Sequence, residues 1–444
     1  MTRYWRGVAE CGRDVHLLLI YALLSYLGIG VLALIFNLYL VRLGYDEAFI
    51  GAFNGIYTLA MGFTCLALGF LINRFGNWQC IVWGTAQFVV ASIVLCFLTN
   101  STLLLVFGAL IGIGSAFILT TQMPFVIELT PRAHTSTIAA LSSALNSASV
   151  MFGSLAGGLL PGVIGFSLGI DGGGIDAYRW TMVIGALATG MSLIPMAAMG
   201  EARRQRHHSD FQVAQAQLPG HRVRDRARRD VGALVLLGLL LALGVGAIEP
   251  FYNVLLEDMG TPTSQIGLIF AVSGLVATVL SIAGPPLANR IGLIPAQIWT
   301  RLMHVPFHLG LIVLAHPALV SLAYGTRRVS GSMAWPLESA HVGGLLPQRA
   351  RAHAFGLRSA SWNIGFAIAA FASGNVIAAT GSYTPAYIAL GGFCALSVLV
   401  YVVAYGGRLP DDADRQAQQA PTLTPPNDPT LSGHADAPEK QVAP

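Results

Sequence analysis

The stretch GIGVLALIFN at residues 28–37 returns as GVGAIEPFYN at residues 244–253. The match continues in one register over residues 28–76 and 244–292, at a constant offset of 216 residues. Isolated matches arise by chance, whereas a run of this length in a single register indicates a duplicated unit. The chain is therefore expected to contain two related halves.

Composition identifies the solvent in which those halves fold. The chain is 54% hydrophobic and only 10% charged, with a mean hydropathy of +0.64. Soluble domains carry about 25% charged residues, and they cannot hide so large an apolar fraction in a core. Apolar runs of roughly 20 residues cross a bilayer as helices, because the backbone must satisfy its own hydrogen bonds in lipid. The predicted fold class is an all-α membrane protein.

The apolar runs predict twelve transmembrane helices, six in each half. They lie at approximately residues 15–41, 48–72, 80–99, 102–126, 137–165, 180–200, 231–256, 264–287, 294–315, 317–345, 354–377 and 385–406. The repeat and the spans together predict two pseudo-symmetric six-helix bundles, at residues 1–200 and 231–406. A basic cytoplasmic linker is expected at residues 201–230. A disordered cytoplasmic tail, rich in Pro, Ala, Asp and Gln, is expected at residues 407–444.

Basic residues predict the orientation, since short loops rich in Arg remain in the cytoplasm. One predicted side holds the arginines near the N-terminus, in the linker and in the loops at Arg74 and Arg290, whereas the opposite side holds Arg42 and Arg179. Both termini are therefore predicted to be cytoplasmic, in a multi-pass protein of the inner (plasma) membrane. The linker is interpreted as a segment attracted to anionic lipid rather than to nucleic acid, because no compact basic domain accompanies it.

The sequence contains no motif of a soluble enzyme. Its five cysteines are scattered without metal or redox spacing, and neither an HExxH motif nor a P-loop occurs. We therefore predict no metal, no cofactor and no enzymatic activity.

Two short loops carry a family resemblance. Between spans 2 and 3 the sequence reads GFLINRFG at residues 69–76, and between spans 8 and 9 it reads GPPLANRIG at residues 284–292. Both resemble the G-x-L-x-D-R-x-G loop of the major facilitator superfamily, with Asn73 and Asn289 in place of the acidic residue. An asparagine can hydrogen-bond across a gate but cannot form an ion pair, which puts the usual carboxylate-based gate in doubt. The gating residues that the resemblance implies are Asn73, Arg74, Gly76, Asn289, Arg290 and Gly292.

The resemblance covers essentially the whole membrane part, and it implies a secondary transporter that works by alternating access. In such a protein two bundles rock around a central cavity, which spans 1, 4, 7 and 10 line in this family. A small-molecule substrate, the lipid bilayer and a monomeric state are expected. Two motifs of proton antiporters are incomplete, because residues 108–114 lack the Arg and residues 153–158 lack the Pro. Antiport is therefore permitted but not supported.

Charged residues inside the spans are the main functional candidates, since a charge is costly at mid-membrane and tends to face a cavity. Glu249, beside the helix-breaking Pro250, is a candidate for proton coupling, or else a group that bonds a neighbouring helix. Arg327 and Arg328 are candidates for an anion clamp, the alternative being internal pairing with Glu338 or Glu249. Adjacent guanidiniums cannot share one helix face, so one is expected to serve the cavity and the other a structural partner.

Further candidates lie in spans 1, 7, 9, 10 and 11. Glu338 returns to nearly the same helix face as Arg327, which makes it a second candidate for proton coupling. Span 9 carries Arg301, His304 and His308 on one face, interpreted as structural because this span is peripheral in the family. Further substrate-binding candidates, each with an alternative of snorkelling or of bonding between helices, are Trp335, Arg358, Asn37 and Asn253.

Three functions remain open on the sequence. The arginines of the second half favour transport of an anionic or carboxylate-bearing solute, with proton coupling through Glu249. Efflux of hydrophobic, drug-like compounds is the alternative, and it predicts an apolar cavity with the arginines locked in internal pairs. A membrane enzyme or sensor on the same scaffold would need a catalytic constellation or an additional folded domain, and the sequence offers neither.

Overall fold

The structure is a computed structural model that describes residues 11–131, 134–200, 221–345 and 348–406, and every regular element in these residues is a helix. The first half contains α1 (Arg13–Arg42), α2 (Glu47–Phe75), α3 (Asn77–Cys96), α4 (Ser101–Leu129), α5 (Thr135–Leu168), α6 (Ile175–Met191) and α7 (Leu193–Ala197). The second half contains α8 (His221–Gly246), a short 3-10 helix (Glu249–Phe251), α9 (Tyr252–Asp258), α10 (Thr263–Ser281), α11 (Gly284–Ile291), α12 (Leu293–Leu302), α13 (Val305–Val313), α14 (Pro317–Leu345), α15 (Gln348–Thr380) and α16 (Thr384–Tyr405).

Ten helical segments of the described chain are long and apolar enough to cross a membrane. Their outer surfaces carry large apolar side chains, of which Phe166 is 93% exposed and Val403 79% exposed. A continuous surface of this kind is stable against lipid rather than water. The two other predicted spans are also helical: one is divided into α12 and α13, and the other is α14. The predicted all-α membrane class is confirmed.

The break predicted at Pro250 is present, and the carbonyl groups that it frees have partners. α8 ends at Gly246, and the chain continues through the 3-10 helix into α9, because proline lacks the N–H that a continuous helix needs. The Ser373 hydroxyl donates to the Ala247 carbonyl at 2.6 Å. The Asn37 amide donates to the Pro250 carbonyl at 2.6 Å. The irregular backbone is therefore satisfied inside the protein.

Three further breaks were not expected from the hydropathy pattern. The predicted span 180–200 is divided between α6 and α7, the span 264–287 between α10 and α11, and the span 294–315 between α12 and α13. A proline stands in the first turn of both α11 and α13, where a helix tolerates it. Hydropathy does not register such breaks, because the residues around them remain apolar.

The structure differs from the predicted domain bounds at one point, the end of the linker. α8 begins at His221, so residues 221–230 of the predicted linker are helical. Residues 201–220 of the linker and the predicted tail at 407–444 lie outside the described residues. The boundaries at 200 and 231 stay predictions.

The repeated glycines allow equivalent close helix crossings within each half. A Cβ atom on Gly30 in α1 would lie 2.5 Å from the Val150 carbonyl oxygen of α5. A Cβ atom on Gly246 in α8 would lie 2.6 Å from the Phe366 carbonyl oxygen of α15. Both glycines and both partners are related by the 216-residue offset. The duplicated sequence therefore specifies duplicated packing, since only glycine permits such an approach.

Glycines also bring the two halves together. Gly51 in α2 faces Gly374 in α15, and a Cβ on Gly51 would lie 3.0 Å from the Cα of Gly374. Gly158 in α5 faces Gly267 in α10, where the corresponding distance is 2.8 Å. The same offset relates the two pairs. The interface between the halves thus has two pseudo-symmetric crossings that side chains would obstruct.

Candidate functional site

A cavity of about 660 Å³ lies between the two halves. This volume suits a drug-sized organic molecule. Helices of both halves contribute to its wall. The first half supplies Tyr26, Ile29, Leu32, Ala33, Phe36, Asn37, Phe53, Asn54, Tyr57, Phe88, Ser92, Ile111, Asn146, Ser147, Val150, Met151, Ser154 and Met182. The second half supplies Glu249, Pro250, Phe270, Gly274, Ala277, Thr278, Tyr324, Arg327, Arg328, Gly331, Ser332 and Phe366.

All the charged groups of this wall come from the second half. Arg327 Nη2 donates to Glu249 Oε1 at 2.7 Å, and Arg327 Nε lies 2.6 Å from Glu249 Oε2. Only the first contact has hydrogen-bond geometry. Arg327 Nε and Glu249 Oε2 make no hydrogen bond within the described residues. The pair joins α14 to the 3-10 helix beside Pro250. Two opposite charges therefore neutralise each other at the cavity wall.

Arg328 has a different environment from its neighbour. Its guanidinium lines the same cavity, and within the described residues it makes no hydrogen bond and no ion pair. Its Nε is shielded from solvent and unsatisfied. Residues 108–115 align with residues 325–332 at an offset of 217, one more than in the repeat above, which places Ile111 at the position equivalent to Arg328. Ile111 also lines the cavity, so the second half has a cation where the first half has an apolar side chain.

The first half presents a mainly apolar and aromatic wall. The rings of Phe36 and Phe53 lie 4.4 Å apart, and Ile29 and Val150 lie on the same wall. Opposite them, the ring of Phe270 stacks on Tyr324 at 4.2 Å. The cavity is therefore polarised, with its charge on one side and its apolar surface chiefly on the other.

The amide side chains that line the cavity form hydrogen bonds chiefly with other amide side chains of the protein. Asn146 and Gln122 exchange two amide hydrogen bonds, at 3.0 and 3.1 Å. Asn54 Nδ2 donates to Asn37 Oδ1 at 3.0 Å and to the Ile50 carbonyl at 2.9 Å. Such internal pairs leave few amide groups for a solute.

Two equivalent asparagines link the halves by reciprocal hydrogen bonds. Asn37 Nδ2 donates to the Pro250 carbonyl at 2.6 Å, and Asn253 Nδ2 donates to the Leu34 carbonyl at 2.7 Å. Asn37 with Asn253, and Leu34 with Pro250, are pairs related by the 216-residue offset. Each half therefore donates to the same backbone position of the other. Of the two asparagines, Asn37 lines the cavity, and Asn253 is buried beside it.

Beyond these asparagines, polar contacts close one end of the interface. Arg42 Nη2 donates to Glu257 Oε1 at 2.6 Å, and Tyr178 Oη lies 2.6 Å from Thr263 Oγ1. Arg42 is five residues after Asn37, about 7.5 Å further along the helix. We call this region the closed end.

A tyrosine extends the closed end to a third site. Tyr383 Oη is a donor to the Asp258 carboxylate at 3.0 Å within its own half and to the Glu47 carboxylate of the other half at 3.3 Å. Burial and the two carboxylates raise the pKa of the Tyr383 phenol, so it remains a neutral donor. Glu47, Asp258 and Tyr383 thus add a shared hydrogen bond to the closed end.

Several predicted site residues lie away from the cavity wall. Glu338 forms a bidentate pair with Arg358, rather than approaching Arg327. The Arg358 guanidinium also lies over the rings of Trp335, at 5.2 Å, and Trp362, at 5.9 Å. Both partners of the ion pair are buried. The roles predicted for Glu338, Arg358 and Trp335 in coupling and substrate binding stay predictions.

The predicted gating loops share a backbone feature. Gly76 and Gly292 end α2 and α11 with φ angles of 87° and 91°, a region that favours glycine. The arginine and asparagine side chains of these loops, Asn73, Arg74, Asn289 and Arg290, are exposed. The gating role of the loops stays a prediction.

The span-9 residues form a packed polar cluster. The buried guanidinium of Arg301 donates to Gln297 and lies 4.8 Å from the Tyr401 ring. His308 Nε2 lies 2.5 Å from the Tyr252 hydroxyl, and its Nδ1 lies 2.8 Å from the His304 carbonyl. None of the three span-9 residues Arg301, His304 and His308 is among the residues that line the described cavity.

Sequence reasoning did not identify Asn54, Tyr26 or the closed-end residues. Asn54 was detectable as a polar residue in the middle of an apolar span. Arg42 was recognised only as a charge outside the membrane, because its partner Glu257 belongs to the other half. Such contacts depend on how the halves meet, which hydropathy does not report.

Two helical halves around a central cavity, closed at one end, are the architecture of an alternating-access transporter. The chain belongs to the major facilitator superfamily, since the model of that family matches residues 18–330 and 328–433. It is a secondary transporter and a multi-pass membrane protein, which confirms the family resemblance found in the sequence.

Solved structures show the same fold. The nucleoside transporter NupG aligns with a TM-score of 0.71 at 12% identity, covering 88% of this chain and 99% of that one. A D-xylose-proton symporter aligns with a TM-score of 0.67 at 14% identity, covering 88% and 96%. A bacterial homologue of the human lysosomal transporter Spinster, in an inward-facing and unoccupied conformation, aligns with a TM-score of 0.66 at 14% identity, covering 88% and 95%. No curated protein sequence matches the chain significantly.

Proposed function

We propose that the chain transports a small organic anion and that Arg328 binds the anionic group. The observation that carries this proposal is the Arg328 guanidinium, which lines the cavity without a partner in the described part of the chain. A cation at membrane depth is costly unless it is paired or hydrated. A guanidinium matches a carboxylate or phosphate with two parallel hydrogen bonds. A bound anion therefore supplies the partner that the protein itself does not.

Glu249 is the proposed proton-coupling group. It is the one carboxylate among the described residues that line the cavity, and Arg327 holds it in place. Protonation of Glu249 removes its charge and weakens its attraction to Arg327. Binding or release of this proton therefore changes the net charge of the cavity that holds the anion. The two halves also meet beside Glu249, because Asn37 of the first half donates to the carbonyl of Pro250, the residue that follows Glu249.

We also propose the orientation that the basic loops predict, with both termini in the cytoplasm of a cell whose inner membrane holds the protein. The closed end, which carries Arg42 and Glu257, would then face away from the cytoplasm. The structure would accordingly represent a state that releases or receives its solute on the cytoplasmic side. A monomer remains the expected functional unit.

The test is anion binding by purified protein. A thermal-shift screen against a panel of metabolite anions and neutral drugs identifies a stabilising ligand, because a ligand at 100 times its Kd stabilises by about 2.7 kcal/mol. The same ligand is then measured against Arg328→Gln, Arg328→Lys and Arg229→Gln. Arg229 is exposed and distant from the cavity lining, so its variant is the control for loss of one cation. We expect the Gln variant at 328 to lose anion binding and the Lys variant to retain part of it. Undiminished anion affinity in Arg328→Gln would refute the proposal.

Efflux of hydrophobic compounds is the second candidate, favoured by the aromatic wall that includes Phe36 and Phe53. It accounts for the paired Arg327 but gives Arg328 no role. The same screen separates the two functions. Stabilisation by neutral lipophilic compounds, with equal affinities in the parent and Arg328→Gln, would favour efflux of hydrophobic compounds over anion transport.

A further inference from the structure

We infer that the solute is a monoanion with an apolar body, one anionic group attached to a ring or branched hydrocarbon. This inference rests on the proposed anion site at Arg328 and restricts the class of solutes that the site accepts. It separates the solute from dianions, from short acids without an apolar body and from polyhydroxylated compounds such as sugars.

While Glu249 is ionised, the charge of the cavity matches a solute with one negative charge. Among the described lining residues the ionisable groups with a full charge are Glu249, Arg327 and Arg328. Glu249 and Arg327 cancel through their ion pair, which leaves a net charge of one positive unit. A second anionic group on the solute would have to separate that pair or remain unpaired at low dielectric, and both are unfavourable. A monoanion brings the cavity to neutrality.

The apolar side chains of the first-half wall favour an apolar body. Ile29, Phe36 and Val150 stand on the first-half side of the cavity. These side chains gain free energy when apolar surface of a solute replaces water against them. A short acid that consists of little more than its carboxylate would leave this wall hydrated and would forgo that gain.

Several hydrogen-bonding groups of the cavity are already paired within the protein, which disfavours a polyol. Asn37 donates to a backbone carbonyl, and Asn146 exchanges two hydrogen bonds with Gln122. Tyr57 donates to Ser115. A sugar would need a free donor or acceptor for each of several hydroxyl groups, because a hydroxyl that loses water without a replacement is destabilised.

Several polar groups remain available for a solute. The hydroxyls of Tyr26, Ser92, Ser147 and Tyr324 and the Asn54 Oδ1 atom line the cavity, and no hydrogen bond to any of these atoms is present in the described residues. They allow neutral polar substituents on the apolar body, such as a phenolic hydroxyl or an indole N–H.

The test compares matched ligands on the purified, full-length protein by isothermal titration calorimetry. The anions are phenylacetate, indole-3-acetate, acetate and succinate, and the neutral compounds are phenylacetamide and xylose. Phenylacetamide has the shape of phenylacetate without its charge. We expect one of the aromatic monocarboxylates to bind at least ten times more tightly than acetate, succinate and phenylacetamide, with no binding of xylose. In Arg328→Gln the aromatic acid should bind no better than the amide, whereas Arg229→Gln should behave as the parent does.

The outcomes distinguish the inference from the function on which it rests. Succinate or acetate binding as tightly as the aromatic acids, with all of them lost in Arg328→Gln, would overturn the inference and leave anion transport standing. Equal binding of phenylacetate and phenylacetamide by the parent and by Arg328→Gln would overturn both. Xylose binding that is tighter than that of either aromatic acid would also overturn the inference. If neither aromatic acid binds, the inference is overturned as well.

Discussion

The reciprocal asparagines predict that the closed end is held by two equivalent hydrogen bonds. Asn37→Leu with Asn253→Leu removes both donors, at 2.6 and 2.7 Å from their acceptors, while keeping side chains of similar volume. A hydrogen bond between membrane helices contributes about 0.6 kcal/mol on average and up to about 1.7 kcal/mol. Loss of both therefore destabilises the closed end by about 1–3 kcal/mol, which is a shift of roughly 5–150-fold in a two-state equilibrium.

The distance between spin labels on the two halves measures that shift. Ser101, the first residue of α4, and Ser264, the second residue of α10, are exposed at the closed end. Both can be replaced by labelled cysteine once the five native cysteines have been removed. We expect pulsed electron resonance to show a new, longer distance in the double asparagine variant. Asn375→Leu is the matched control, because the Asn375 amide donates within its own helix, to the Phe371 carbonyl. A distance distribution identical to that of the parent would refute the role assigned to Asn37 and Asn253.

Three further predictions concern charged groups. Glu249→Gln should retain exchange of labelled solute across a liposome membrane but lose accumulation driven by a pH gradient, and continued uphill transport would exclude Glu249 from proton coupling. Glu338→Gln should lower stability by about 3–5 kcal/mol, measured as a lower Tm, because it leaves Arg358 buried and unpaired; an unchanged Tm would contradict the buried ion pair. Exchanging Arg42 and Glu257 should restore the spin-label distance that Arg42→Glu alone increases, and failure of the exchange to do so would show that their contact does not hold the closed end.

The duplication made most of the fold predictable. Apolar runs located the membrane helices, and the offset of 216 residues related glycines such as Gly30 and Gly246 before their close contacts were visible. Helix breaks were predictable at Pro250, where a charge also interrupts the apolar run. They were missed between α6 and α7, between α10 and α11 and between α12 and α13, because the residues around these breaks remain apolar and leave the hydropathy unchanged.

The candidate site was less predictable, because its chemistry depends on contacts between helices. Periodicity placed Glu338 on one face with Arg327, but Glu338 pairs with Arg358 on the next helix. Sequence spacing describes neighbours on one helix and does not say which helix lies beside it. Arg327 has an internal partner in Glu249 and Arg328 has none among the described residues, but both arginines line the cavity, and their division between cavity and partner stays a prediction.

Differences between the copies concentrate at the cavity. Ala33 lies at the position equivalent to Glu249, and Ile111 at the position equivalent to Arg328, and all four side chains line the same space. The scaffold is thus repeated, whereas charge is confined to one half. A cavity built in this way can hold an amphipathic solute in one orientation.

The most direct test of an anion site at Arg328 is an experimental structure of the purified protein with 4-iodophenylacetate, in which anomalous scattering locates the iodine. We predict that the carboxylate lies about 2.7–2.9 Å from the Arg328 guanidinium and that the iodine lies against the wall of Ile29, Phe36 and Val150. An iodine peak outside the cavity, or a carboxylate with no contact to Arg328, would contradict the central claim.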